Sequence, residues 1–166
     1  LSSHKKGWDE RWEEFSNWAE KGEALKNKLT RLVDADTHAF NRILKAFAMP
    51  KSNDDERLWR NRAIQDATRF AIDIPFTVMQ TAFESMEVIK AMAEIGNPNS
   101  VSDAGVGALC ARSAVMGAFM NVRINTTDYD DKEFVKEIIA KGKAIEDKAM
   151  ALEAEILSIV NAKIGA

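Results

Sequence analysis

Residues 25–47, LKNKLTRLVDADTHAFNRILKAF, decide the fold class. Within them Leu25, Leu29, Leu32, Phe40, Ile43 and Phe47 are spaced 4, 3, 8, 3 and 4. That recurrence marks one face of an α-helix, not the alternation of a strand. One apolar tooth is missing from the stripe, and the residue in its place is Asp36. Pro50 then ends the run, because proline disfavours helical geometry in the residue before it. Upstream, the helix is expected to follow Gly7 and to carry Trp8, Trp12, Phe15 and Trp18 at spacings of 4, 3 and 3, an aromatic face for packing or for a second subunit.

Downstream, Ser52-Asn53-Asp54-Asp55-Glu56 is a start signal. Ser52 or Asn53 can accept from the first free backbone amides, and the acids complement the positive end of the helix dipole. This second helix is predicted to reach Gly96, with Pro75 kinking or dividing it. The turn Asn97-Pro98-Asn99-Ser100 leads to a third helix headed by Ser102 and Asp103. Its stripe of Gly107, Ala111, Ala114, Ala118, Asn121 and Asn125 would let a backbone or a flat ligand approach closely. A fourth helix is predicted from Asp130, with Glu133 three residues on, to Gly165. The expectation is an all-α, up-and-down bundle of long helices forming one domain over residues 1–166, without solenoid repeats.

Composition narrows the function. With 46% hydrophobic residues among 166, the chain can bury a core. Lys+Arg 23 against Asp+Glu 26 leaves no basic surplus for a nucleic-acid backbone. A lone Cys110 and two histidines argue against a disulfide and against a metal site. No run approaches the ~20 consecutive apolar residues of a membrane span, so a soluble, cytoplasmic protein without a membrane partner is expected. A Gly-rich phosphate loop, HExxH and GxSxG are all missing from the sequence. The polar opening Ser2-Ser3-His4-Lys5-Lys6-Gly7 reads as a loop leaving an earlier element.

Asp36 is the first candidate for chemistry, since an unpaired carboxylate on an apolar stripe costs several kcal/mol to bury. Two readings stand: a core aspartate bridging to another helix, or an acid or base tuned by burial. Ser102 and Asp103 read as a helix cap or, beside Asn97, as part of a site for a polar heterocycle. Asn121 and Asn125 read as ligand amides or as interhelical hydrogen-bonding groups. Lys5, Lys6 and Lys51 are loop cations, solvated unless a polyanionic ligand uses them.

Several of these segments, in order, resemble the cyclodeaminase/cyclohydrolase family, which includes the C-terminal domain of bifunctional formimidoyltransferase-cyclodeaminases. Leu32-Val33-Asp34-Ala35-Asp36 with Ala39-Phe40 is similar to its acidic helix motif, and Pro50-Lys51 with Glu56-Arg57 to its next turn. Gln65, Arg69 and Pro75 fit the following helix, and Gly96-Asn97 with Ser102-Asp103 the signature loop. Gly117-Ala118, Asn121-Val122 and Ile124-Asn125 match its small-residue helix. Family members begin with a helix bearing a Gly-Gly-Gly-Ser segment, and this sequence starts after it.

The resemblance implies an all-helical, dimeric folate enzyme that converts 5-formimidoyltetrahydrofolate to 5,10-methenyltetrahydrofolate and ammonia, with no cofactor beyond the folate and no metal. A fused or associated formimidoyltransferase is an implied partner. Asp36 and Asp103 would act as acid and base in either order. Asn97, Ser102, Asn121 and Asn125 would hold the pterin or the one-carbon unit, and Lys5, Lys6 and Lys51 would lie nearer the glutamate tail. The rival readings are methenyltetrahydrofolate cyclohydrolase and a non-catalytic folate-binding or assembly module.

Overall fold

The computed structural model describes Lys6 and residues 9–165. Four helices dominate: α1 (Trp12–Phe47), α2 (Asp54–Ile95), α3 (Val101–Asn125) and α4 (Lys132–Ile164). Short 3-10 turns occupy Asp9–Arg11 and Pro98–Ser100, and no strand occurs among the described residues. The all-α expectation is met.

Cross-helix pairs give the direction of each element. Lys21 and Lys28 of α1 meet Glu87 and Glu84 of α2, so these two run antiparallel. Arg112 of α3 reaches Glu153 of α4 at 2.7 Å, and Lys90 of α2 meets Glu155 of α4. The topology is up-down-up-down, with α2 packed against all three other helices.

Side-chain caps start α2 and α4. Asn53 accepts from the Glu56 amide at 2.8 Å, while the Glu56 carboxylate accepts from the Ser52 amide at 2.7 Å, so the cap satisfies one amide of the first turn of α2 and one of the residue before the cap. The fourth helix starts one residue later than the sequence suggests. Its cap is Asp131, which accepts from Phe134, because the Asp130 amide is taken by the Gln65 side chain. Ser102 and Asp103 do not cap α3. Asn97 accepts from the Asn99 amide, the 3-10 turn follows, and α3 is already helical at Val101, which leaves Ser102 and Asp103 inside its first turn.

Pro75 does not divide α2, which runs unbroken through it. A proline nitrogen has no hydrogen to donate, so the carbonyl of Ala71 one turn earlier loses its helical partner. The Nδ2 group of Asn125 on α3 supplies that bond at 2.7 Å.

The core lies where α2, α3 and α4 meet, around Ile72, Met79, Met86, Val115, Phe119, Val122 and Ile156. At Gly142 a Cβ would overlap the Phe119 ring, so α3 and α4 approach as closely as glycine permits. Gly142→Ala is expected to destabilise the bundle by about 1–3 kcal/mol through overpacking, read as a lowered midpoint in urea.

On α1 the predicted stripe is only partly the buried one. Leu25, Ala39 and Ala46 are buried, whereas Phe40 and Phe47 are 61% and 54% exposed. Because α1 rests chiefly on one neighbour, its seam is narrow, and small residues at seven-residue spacing fill it. Val33, Phe40, Leu44 and Phe47 form a second, open apolar face. The upstream aromatic face is likewise split, with Phe15 buried and Trp12 exposed, and Trp8 lies outside the described residues.

Helix α3 also has two apolar faces. Val101, Ala108, Val115, Phe119 and Val122 are buried, while Val106, Leu109, Met120 and Ile124 are exposed. Together with its preceding turn this helix is long and apolar enough to cross a membrane by length and composition, although Arg112 on its inner side pairs with Glu153 of α4.

Candidate functional site

A groove runs between α1 and α3, with α2 as its floor. Two adjoining cavities, of about 520 and 200 Å³, share Asp36 and Asn121. In the larger, Leu29, Leu32, Val33 and Thr37 form one wall, Pro75 and Val78 the floor, and Ala114, Gly117 and Ala118 the other wall. A Cβ at Gly117 would touch nothing within 4 Å, so the small-residue stripe of α3 opens onto free space there. The smaller cavity continues past Asn121 to Ala39, Phe40, Ile43, Ala71 and Asn125. Mainly apolar walls with one carboxylate, one hydroxyl and two amides suit a planar, partly polar heterocycle.

Asp36 differs from its expected setting. The stripe predicts a buried carboxylate, but Asp36 is exposed, with no hydrogen bond or ion pair to any described residue. Its place on the flank of the α1 seam turns it into the groove, because the facing residues on α3 are too small to cover it. The helix-bridging reading of Asp36 therefore has no partner behind it.

The two asparagines play unequal parts. Asn125 donates one amide hydrogen to the Ala71 carbonyl and the other to Asn121 Oδ1 at 3.2 Å, which is the interhelical alternative read from the sequence. Asn121 faces both cavities.

The remaining sequence candidates are not brought to this groove in one chain. Between Asp103 and Asn121 lie about 27 Å of α3 axis at 1.5 Å per residue, and Asp103 and Ser102 are exposed at the far end beside Asn97. Lys6 and Lys51 flank opposite ends of α1, about 54 Å apart along its axis, so they cannot serve one ligand tail together. Lys5 lies outside the described residues. The reason is topological: long straight helices keep residues near opposite ends apart, whatever loop they share in sequence.

Sequence reasoning passed over Thr37, on the groove wall, and the helical cations Arg42 and Lys45. These two line a neighbouring hollow of about 370 Å³ with Asp66, and the Arg42 guanidinium lies 4.7 Å from the centre of the Phe70 ring. Their signal was present, since both follow Asp36 on its own helix, whereas only loop lysines drew notice. A larger hollow of about 710 Å³ beside α4 is lined by acids, Lys136 and Arg69, and Arg69 is already engaged by Asp73 and the Phe134 ring. It holds none of the candidate residues. Among the described residues, no group of three His, Cys, Asp or Glu side chains is arranged to hold a metal ion.

Comparison with known proteins agrees with this architecture. The family model described as formiminotransferase-cyclodeaminase matches residues 1–144. A methenyltetrahydrofolate cyclohydrolase of Methylorubrum extorquens is 33% identical over 145 residues, covering 87% of this chain and 70% of that protein. The formimidoyltransferase-cyclodeaminase of Rattus norvegicus is 31% identical over 140 residues, 84% of this chain but only 26% of that protein. In structure, the formiminotetrahydrofolate cyclodeaminase of Thermotoga maritima shares the fold with a TM-score of 0.74 at 24% identity, over 96% of this chain and 74% of that one. With a family model matching residues 1–144 and a relative 33% identical over 87% of the chain, the chain belongs to the formiminotransferase-cyclodeaminase family.

Proposed function

We propose that the chain is a folate one-carbon enzyme that closes the ring of 5-formimidoyltetrahydrofolate to 5,10-methenyltetrahydrofolate with release of ammonia. The observation that carries this reading is the pairing of a solvent-open Asp36 with Asn121 in a groove walled by Ala114, Gly117 and Ala118. In the reaction N10 attacks the formimidoyl carbon and loses a proton, and the former imino nitrogen gains protons and leaves as ammonia. In this scheme Asp36 would take or give one of these protons, and Asn121 would hold an acceptor of the pterin or one-carbon unit. No metal or further cofactor enters the scheme.

A second carboxylate joins the scheme only from another subunit. The exposed apolar faces of α1 and α3 flank the groove, and their pairing with a second copy would close it and allow the partner to bring its own Asp103 to the opening. The working unit is then a homodimer. Arg42 and Lys45, six and nine residues after Asp36 on α1, are the cations proposed for an anionic glutamate tail in place of Lys6 and Lys51.

The alternative reaction, hydrolysis of the methenyl ring by water, is favoured by the relative from Methylorubrum extorquens. Both reactions pass through attack on the same carbon, so one assay pair separates them. The expected result is ammonia release from the formimidoyl substrate faster than loss of the methenyl absorbance in water. The reverse order would assign the cyclohydrolase, and neither activity would remove the enzyme reading.

A further inference from the structure

Asn125 reads from the sequence as a ligand amide or an interhelical hydrogen-bonding group, and in the structure its NH2 group is taken up by two acceptors of the protein itself. The chain of causes starts at Pro75. Its missing N–H frees the Ala71 carbonyl, a group that can only accept. Asn125 must therefore present its NH2 to that carbonyl, which removes the usual ambiguity of amide orientation. Its second hydrogen then points at Asn121, which has to answer with its oxygen. Asn121 Nδ2 is left with no acceptor among the described residues while its side chain lines both cavities beside Asp36.

We propose that Pro75 and Asn125 form a positioning device that holds Asn121 with its NH2 group turned into the groove as a donor toward an acceptor atom of the bound folate. The role of the donor rests on the folate reading above; the orientation of the amide does not. A proline inside a long helix is thereby given a reason beyond bending. It creates the one acceptor that fixes two side chains on the facing helix.

The test uses Asn125→Ala, Asn121→Ala, the two combined, and Pro75→Ala/Asn125→Ala. In the last variant the alanine amide can satisfy the Ala71 carbonyl, so any purely structural loss from Asn125→Ala is repaired. Asn125→Ala is expected to lower kcat by about 10- to 100-fold, the scale of a misplaced contact, with KM changed less. Because both act through one group, the Asn121→Ala/Asn125→Ala pair should be no worse than Asn121→Ala by more than about twofold. Pro75→Ala/Asn125→Ala should regain thermal stability but not kcat. Additive losses, or recovery of kcat together with stability, overturn the proposal. Side-chain amide resonances supply a readout independent of turnover: those of Asn121 should move in Asn125→Ala, and unmoved resonances also overturn it. Wild-type protein lacking both folate activities would refute the folate reading while these resonances still decide the orientation.

Discussion

Asp36→Asn should reduce turnover by about 10²- to 10⁴-fold, the range contributed by a positioned proton-transfer group, and leave the melting temperature almost unchanged. The two halves of this expectation come from the same observation. Asp36 is exposed and unpartnered in the groove, so replacing its carboxylate with an amide of equal shape removes no internal bond. Surface changes of that kind usually stay within about 0.5 kcal/mol. A buried, bridging aspartate would behave in the opposite way, with a large loss of stability and an activity loss that merely follows it. Steady-state ammonia release measured beside a thermal melt distinguishes the two, and near-normal turnover in folded protein would place the proton transfer elsewhere.

Ile124→Glu should halve the molar mass in solution and depress activity more than tenfold while the helical content is retained, because in the proposed dimer a charge would be buried opposite an apolar surface. Ile124 is 70% exposed in the single chain, beside Met120 at 62%, so the substitution leaves the core of the protomer untouched. Light scattering and activity on dilution read the effect. The contribution of Asp103 can be tested without disturbing assembly. If each site combines Asp36 of one subunit with the second copy's Asp103, coexpressing Asp36→Asn with Asp103→Asn yields hybrid dimers with one intact site. A twofold-symmetric dimer then recovers about a quarter of wild-type activity from two nearly inactive parents. No recovery would leave Asp103, about 27 Å of helix axis from Asn121, outside the reaction.

How much was legible beforehand varies along the chain with the kind of signal. Asn53 with Glu56 was readable because a cap is a local contract between a side chain and backbone three residues away. Asp130 was misread by one residue, since its amide is claimed by Gln65, which lies 65 residues back in sequence and next to it in space. Phe40 and Phe47 obey the helical period as well as Ala39 and Ala46 do. Periodicity names candidate faces, yet only the position of α2 selects the one that is covered. Asn125 shows the same limit from the polar side, for its partner is a carbonyl made available by a proline on another helix.

From the order of residues alone came the helical class, the four long elements, the family likeness and a set of candidate site residues in which Asp36 and Asn121 stood beside Asp103 and others. These rest on spacing and local chemistry, which a linear chain carries in full. Tertiary structure alone decided that Asp36 stands open to solvent, that Asn125 is held by Ala71, and that Asp103 lies far along α3. Exposure, partnership and separation belong to pairs of elements, and helices of this length place residues close or distant according to which neighbour they pack against.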